Sequence, residues 1–238
     1  MNEAGPTAEL ADAGMRAAFP PLPPVRVACL VCTNRPEWEP WVSHQIAKQL
    51  PYEGAEYIPI LAMCKDSSIP RKRTDLLLWA ASERADYIAF FDDDDWSPPD
   101  RLATALRFLE SPTAKSDLLL DAVGSAHSYF VDSRPGELKD ARCVRYRAPE
   151  GLVFNGAVFR LDAVPNAFNP ALTIGEDTTW LGKWFDSNPN YLITGGPMHL
   201  WLCHEKNTTN RATERSFDER IPRSFGITEE EWKLVPRG

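Results

Sequence analysis

Four consecutive aspartates, Asp92 to Asp95, directly follow the apolar run DYIAFF. Carboxylates this close together raise one another's pKa, and each repulsion costs on the order of 1 kcal/mol or more. A divalent cation would relieve that repulsion, because hard cations take carboxylate oxygens as ligands. Strand alternation would place Asp92 and Asp94 on one side, where they share a ligand, while Asp93 and Asp95 face elsewhere. The pattern predicts a metal site; the alternative is a solvated loop in which one aspartate caps the next helix.

The segments that must position these aspartates alternate between strand and helix patterns. Three apolar runs, VRVACLVC, AEYIPILAM and DYIAFF, are typical of buried strands, and each ends in a polar cluster. Apolar residues recur at helical spacing from Trp38 to Leu50, from Arg73 to Arg84, and after Pro98-Pro99-Asp100. This alternation predicts an α/β unit with a parallel sheet. Ligands of such sheets bind beyond the carboxyl ends of the strands, where all three polar clusters lie.

The second half of the chain is richer in strand patterns: DLLLD, SAHSYFVD, ARCVRYRA, LVFNGAVFRL, YLITGG and MHLWLCHE. Between them, GEDTTWLGKWF indicates a helix that begins with two acidic residues. We therefore predict one α/β domain over residues 25–211, with a mostly parallel central sheet flanked by helices. Its first half alternates strands and helices, and its second half is strand-rich. Residues 1–24 form an extended or disordered arm, 212–233 a charged arm or helix, and 234–238 a thrombin-site tag remnant.

Further residues could take part in chemistry, each with a plainer alternative. Asp177, with Glu176 beside it, would stay ionised near a cation and could act as a general base, or the two could simply cap their helix. His204 follows a strand and could bind a metal, or could be an ordinary strand-end histidine. Trp96, Trp180 and Trp184 flank the proposed site and could form an acceptor platform, since sugars pack on such rings; for Trp184 the alternative is plain core packing. Asn155, next to Gly156, marks a close approach to substrate or a strand bulge.

These segments, in their order, resemble family-2 glycosyltransferases of the GT-A fold. The resemblance implies a Rossmann-like nucleotide-binding half followed by a strand-rich acceptor half. The resemblance covers roughly Val25 to Arg211 and rests on VCTNRP, KDSS, RKRTDLLLWAA, FFDDDDWSPPDRL and GEDTTW, followed by HEKNTT. FFDDDDW with the helix after it is the most specific part. The family also has Asn in many members where this chain has Thr74.

The resemblance implies roles for the matching residues. Cys32, Thr33, Asn34 and Arg35 cradle the nucleoside, Asp66 reads the base or ribose, and Arg71 and Arg73 lie near the nucleotide. Asp92 and Asp94 match the DxD signature, with Asp94 as direct metal ligand, Asp92 nearer the ribose, and Asp93 grouped with the donor-binding residues. His204 completes the metal–diphosphate site. Asp177 matches the general base of inverting members.

Composition limits the partners. A formal net charge of −8 argues against a general nucleic-acid binder, and it means that a phosphate-bearing ligand needs help from a local cation. No apolar run approaches the roughly 20 residues that cross a bilayer, and no secretory signal is visible, so we expect a cytoplasmic protein without an integral membrane segment. The five cysteines are not spaced as zinc ligands. Homo-oligomerisation stays open.

The resulting hypothesis is a glycosyltransferase that uses Mn²⁺ or Mg²⁺ and moves a sugar from a nucleotide-diphosphate donor, with a UDP-sugar favoured, to an acceptor hydroxyl with inversion. One alternative is a nucleotidyltransferase that makes sugar nucleotides. It would usually carry a Gly-rich basic loop after the first strand, whereas TNRPEWEP has no Gly and a single Arg. The other alternative is a non-catalytic metal- or carbohydrate-binding module.

Overall fold

The computed structural model describes residues 24–63, 68–111, 119–149, 151–172, 175–196, 198–204, 219–221 and 225–235. The expected N-terminal arm before Pro24 and the donor-site candidate Asp66 lie outside these residues, as do 212–218 and 222–224 of the expected C-terminal arm.

Ten strands and five α-helices follow one another along the described chain. They are β1 Val25–Thr33, α1 Glu39–Ala47, β2 Ala55–Met63, α2 Ile69–Ser82, β3 Tyr87–Asp92, α3 Arg101–Leu109, β4 Ala122–Ser125, β5 His127–Asp132, β6 Arg142–Arg147, β7 Val158–Arg160, α4 Glu176–Phe185, β8 Tyr191–Thr194, β9 Leu200–Cys203, β10 Glu219–Arg220 and α5 Glu229–Leu234.

Six strands form the central sheet, in the order β2-β1-β3-β7-β4-β8. The β1–β2, β1–β3 and β4–β8 pairs are parallel, whereas β7 is antiparallel to both β3 and β4. Strand β4 therefore runs in the same direction as β3, and its carboxyl end lies on the same edge of the sheet. A smaller sheet has the order β10-β6-β5-β9. The predicted α/β fold with a helix-flanked central sheet is confirmed, in a mixed form.

Strand β1 is buried on both faces, which explains its continuous apolar sequence. Ala28 and Leu30 pack in one cluster with residues of α2 and α4. Val27, Cys29 and Val31 pack on the other face with residues of α1 and α3. Helices thus cover both faces of the central sheet at β1, which leaves the ends of this strand and its neighbours open for a binding site.

The register of the parallel strands β1 and β3 places their carboxyl ends at the same height along the sheet. Cys32 of β1 lies opposite Asp92 of β3, so Thr33 and Asp93 follow side by side. The predicted boundaries of the first three strands agree with the structure to within one residue. The polar segments after β1 and β3 therefore meet where the sequence predicted.

Several segments differ from the prediction. Residues 119–121 of DLLLD are not in a strand, and SAHSYFVD is divided between β4, which ends at Ser125, and β5, which begins at His127. LVFNGAVFRL is not one strand: Phe154–Gly156 is a 3₁₀ turn, and only Val158–Arg160 pairs in the sheet. Gly156 packs closely, since an added Cβ would lie 3.2 Å from the Ser125 hydroxyl oxygen. Helix α2 begins at Ile69, four residues before the predicted start, because Pro70 is well suited to a first helical turn.

The described part of the charged C-terminal segment includes a packed helix. Thr228 and Glu231 form a capping box at the start of α5. Trp232 is fully buried in a third apolar cluster, under the smaller sheet, and its indole nitrogen donates to the Pro135 carbonyl at 3.1 Å. Among the helices that the structure describes, none has both the length and the apolar character to cross a membrane.

Candidate functional site

An arginine joins the ends of β1 and β3. The Arg35 guanidinium hydrogen-bonds to both oxygens of Asp93 and to Asp94 Oδ2, the last at 3.0 Å. The Thr33 hydroxyl donates to the same Asp93 carboxylate. Strand β3 ends at Asp92 and the next residues turn, so the predicted alternation of the aspartates does not continue beyond Asp92. Asp93 and Asp94 consequently bind the same guanidinium group, that of Arg35, instead of facing opposite sides.

The Asp94 carboxylate also contacts the histidine that the sequence placed in the metal site. His204 Nε2 lies 3.2 Å from Asp94 Oδ2, although the two residues are 110 positions apart. The His204 ring packs edge-on against Trp38, with 4.5 Å between centroids, and the Arg35 guanidinium lies 4.0 Å from the Trp38 ring centroid. Arg35, Trp38, Asp93, Asp94 and His204 form one group, called here the Arg35 cluster.

The Arg35 cluster keeps Asp94 ionised. Burial opposes ionisation of this carboxylate, but the hydrogen bond from His204 and the charge of Arg35 outweigh it and lower the pKa of Asp94. The pKa of Asp93 is raised, mainly by burial and by the charge of Asp94. An ionised Asp94 is therefore the better oxygen ligand of the two.

A second arginine organises the other side of the site. Arg73 of α2 donates to Asp92 Oδ1 at 3.0 Å and to Glu176 Oε1 at 2.9 Å. The Asn155 amide donates to the other oxygen of Asp92. We call Arg73, Asp92, Asn155 and Glu176 the Arg73 cluster. Burial, offset in part by Arg73, raises the pKa of Asp92 to about 6.

The two adjacent carboxylates at the start of α4 have different surroundings. Glu176 is buried and held by Arg73, as described. Asp177 is partly exposed, and within the described residues its carboxylate hydrogen-bonds only to Thr178. Asp177 is close enough to Arg73 and Asp92 to interact with both electrostatically. It is therefore the carboxylate at this helix start that has an oxygen available to another molecule.

One basic residue at the site was missed from sequence. Lys72 is 3% exposed, and its ammonium group lies 3.4 Å from the Thr33 carbonyl at the end of β1. Arg71, predicted near the nucleotide, is exposed. Residues on an α-helix are about 100° apart, so Arg71 and Arg73 cannot face the same way. With Arg73 turned toward Asp92, Lys72 is the other basic residue on the site side, and Arg71 points outward.

The three acceptor candidates are all buried. Trp96 and Trp180 are 0% and 1% exposed; the Trp180 ring stacks on Phe168, and its nitrogen donates to the Pro165 carbonyl. Neither indole offers a face to a sugar, so the prediction of aromatic platforms at these two positions is wrong. Trp184 is core as well. Asn155 is 4% exposed and orients Asp92, while Asn34 is exposed at the end of β1.

Asp94 and His204 form a donor pair whose chemistry fits a divalent cation, one with a carboxylate oxygen and the other with an imidazole nitrogen. Within the described ranges, no group of three His, Cys, Asp or Glu side chains could hold a metal ion. Mg²⁺ in nucleotide sites is held by one or two protein ligands together with phosphate oxygens and water, which suits this pair. Asp92, expected as a second carboxylate ligand, is instead directed at Arg73 and Asn155.

Comparison with known proteins supports the fold. No protein-family model and no curated protein sequence matches the chain. A crystal structure of S. aureus TarS 1–349 in complex with UDP matches at 14% identity with a TM-score of 0.50, over 75% of this chain and 60% of that one. A further S. aureus TarS structure matches at 16% identity and a TM-score of 0.48, over 75% of this chain and 37% of that one. A glycosyltransferase involved in glycosylation of the PBCV-1 major capsid matches at 11% and 0.40, over 79% and 95%.

This chain thus spans between about a third and two thirds of the length of the two TarS structures. At 14% identity, the likeness to the UDP complex is one of fold. In this chain, the two arginine clusters lie at the carboxyl edge of β1 and β3.

Proposed function

We propose that the chain is a metal-dependent glycosyltransferase that moves a sugar from a nucleotide-diphosphate donor, with a UDP-sugar favoured, to an acceptor hydroxyl. The observation that carries this proposal is the Arg35 cluster, where Asp94 and His204 meet at the level carboxyl edge of β1 and β3. The α/β fold is shared with a protein whose structure contains UDP, and ligands of such sheets bind at this edge.

The donor diphosphate would lie between the Arg35 cluster and Lys72. Arg35 and Lys72 supply positive charge in a protein of net charge −8, and Trp38 orients the Arg35 guanidinium. Mn²⁺ or Mg²⁺ bound at Asp94 and His204 would neutralise charge on the departing diphosphate. Asp66, whose position precedes α2, is retained as a proposed reader of the base or ribose.

The Arg73 cluster would hold the sugar end of the donor, and Asp177 would act as the general base. Asp177 takes the proton from the acceptor hydroxyl while that oxygen attacks the anomeric carbon, and the diphosphate leaves from the opposite face. This direct displacement inverts the anomeric configuration. Glu176 is the weaker candidate for the base, because Arg73 already occupies its carboxylate.

Calorimetric titration with UDP, with and without Mn²⁺, tests the proposal. We expect binding that requires Mn²⁺ and is lost in Asp94→Ala, with an unchanged circular dichroism spectrum. Asp162→Ala, which removes an exposed carboxylate outside both clusters, is the matched control and should bind as the wild type does. Full UDP affinity in Asp94→Ala would refute the metal role. Release of UDP from a panel of UDP-sugars then identifies the donor, and NMR of the product gives the configuration.

A further inference from the structure

A buried pair lies directly beneath the Arg35 cluster. Asp95 and His199 are 5% and 1% exposed, and His199 Nε2 is 3.0 Å from Asp95 Oδ2. The other carboxylate oxygen of Asp95 accepts from the Leu202 backbone N–H at 3.1 Å, and the Asp95 carbonyl accepts from the Trp41 indole at 3.0 Å. Asp95 thus joins the turn at Asp93 and Asp94, called here the aspartate turn, to strand β9 and to helix α1.

Strand β9 carries one half of the candidate metal site. Trp96 and Leu200 exchange two backbone hydrogen bonds, of 3.1 and 2.9 Å, which align the aspartate turn with β9. His204 follows Cys203, the last residue of β9, while Asp94 immediately precedes Asp95. Asp95 is thus the chain neighbour of Asp94, and its carboxylate holds the Leu202 N–H, two residues before His204.

The buried Asp95–His199 pair is not what stability alone would favour at this position. Both side chains are almost fully buried, and moving a carboxyl group and an imidazole out of water costs free energy unless every polar atom finds a partner. Within the described residues, neither ring nitrogen of His199 makes a hydrogen bond of good angle, although Nε2 is at ion-pair distance from Asp95. An apolar pair of similar volume is often at least as stable at such a position. What the polar pair adds is a fixed spacing between two chain segments.

We propose that Asp95, with His199, is a positioning pair that sets the Asp94–His204 geometry and thereby the affinity for a nucleoside diphosphate with its divalent cation. This inference rests on the proposed function as far as the ligand is concerned. Neither Asp95 nor His199 touches the donor; both act through β9 and the aspartate turn.

Two variants of Asp95 separate positioning from simple stability. Asp95→Asn keeps a carbonyl oxygen for Leu202 N–H and a polar contact to His199, whereas Asp95→Leu removes both. We expect the UDP dissociation constant with Mn²⁺ to rise about tenfold or more in Asp95→Leu and to stay within about threefold of wild type in Asp95→Asn. If folded Asp95→Leu binds UDP as tightly as wild type, the pair only stabilises the fold and the proposal fails. His199→Phe provides the same test should Asp95→Leu not fold.

A second readout needs no nucleotide. The Trp38 and His204 rings are 4.5 Å apart, so they should give proton cross-relaxation in the NMR spectrum of histidine-labelled protein. We expect this signal to be lost in Asp95→Leu and kept in Asp95→Asn. Phe159→Leu, a core substitution in the cluster on α2 and α4, is the control and should lower stability without losing the signal.

The two readouts distinguish the possible failures. If wild-type protein does not bind UDP with Mn²⁺, the proposed UDP-sugar donor is wrong, and the positioning pair is then tested by the Trp38–His204 contact alone. If the Trp38–His204 contact persists unchanged in Asp95→Leu, the positioning inference is overturned, whatever the nucleotide result.

Discussion

The site contains two arginines, each of which binds two carboxylates, and the two arginines differ in their exposure to solvent. Arg73 is 7% exposed in its side chain, lies among the rings of Phe90, Phe154 and Phe168, and holds Asp92 and Glu176. Arg35 is 21% exposed, lies on Trp38, and holds Asp93 and Asp94. The Arg73 guanidinium is closed off by aromatic rings, whereas the Arg35 guanidinium is more open to solvent, and we call the two clusters closed and open for that reason. The most exposed carboxylate of the two, Asp92 at 27%, nevertheless belongs to the Arg73 cluster.

This difference indicates a division of work. Removing one partner from a buried ion pair leaves an unpaired charge, so the Arg73 cluster is part of what keeps the site folded. Arg35 is the more exposed of the two arginines, so its substitution should cost less stability, and its guanidinium can exchange a carboxylate for a phosphate group of a ligand. Substitution of Arg73 should therefore mainly lower the free energy of unfolding, and substitution of Arg35 should mainly weaken ligand binding.

The largest expected effect distinguishes Asp177 from its neighbour Glu176 in the Arg73 cluster. Asp177→Asn removes the proposed base, and we expect turnover of the identified donor and acceptor to fall about 100- to 10,000-fold with UDP affinity unchanged. Glu176→Gln should lose much less turnover, because its amide oxygen can still accept from Arg73. Initial rates and UDP titration measure both variants. An equal loss in the two would assign the base to neither.

The next effect concerns the closed cluster. Arg73→Met leaves Asp92 and Glu176 buried without a cation, and we expect the free energy of unfolding to fall by about 3–5 kcal/mol. Urea denaturation measures the loss. Arg73→Lys, which keeps the charge but not the two-pronged geometry, should lose less. A change below about 1 kcal/mol in Arg73→Met would show that the cluster is not a structural element.

The matched substitution in the open cluster should have the opposite profile. In Arg35→Met, Asp94 keeps its contact with His204 and Asp93 keeps the Thr33 hydroxyl. We therefore expect a stability loss of only about 1 kcal/mol, together with a clear rise in the UDP dissociation constant. The same urea and calorimetric measurements apply. Nucleotide affinity equal to wild type would remove Arg35 from the donor site.

The sequence predicted the half of the fold whose patterns are local. Strands β1 to β3 are apolar runs bounded by polar clusters, and the acidic start of α4 indicated its helix correctly. The aspartate turn was not predictable in the same way, because strand alternation ends where the strand ends, and Asp93 and Asp94 then follow the geometry of a turn. The division between Arg35 and Arg73 likewise depends on contacts between distant segments.

The errors in the site have common physical causes. Trp96 and Trp180 looked suitable for stacking a sugar, but indole rings of this size are also strong core residues, and spacing alone does not decide between the two. Lys72 was missed because Arg71 and Arg73 were assigned from the family resemblance, and because the helix predicted from Arg73 onward left Lys72 outside it. A helix start at Ile69–Pro70 would have identified Lys72.

The smallest expected effect lies away from both clusters, where α5 docks on α1. Burial lowers the pKa of Lys48 to about 8, although Glu231, 2.6 Å away, opposes the shift. An unfolded lysine has a pKa of about 10.4. Between pH 8 and that value the unfolded chain therefore binds the proton that the folded chain has lost, so this group makes the protein more stable as pH rises.

From pH 7.5 to 9.5, wild type should gain about 1–2 kcal/mol in unfolding free energy relative to Lys48→Met. Urea titrations of both proteins at the two pH values give this difference directly, because tyrosines and cysteines that titrate in the same range are common to both. An identical pH slope in the two proteins would show that Lys48 titrates as an exposed lysine does, and that the contact between α1 and α5 does not bury its charge.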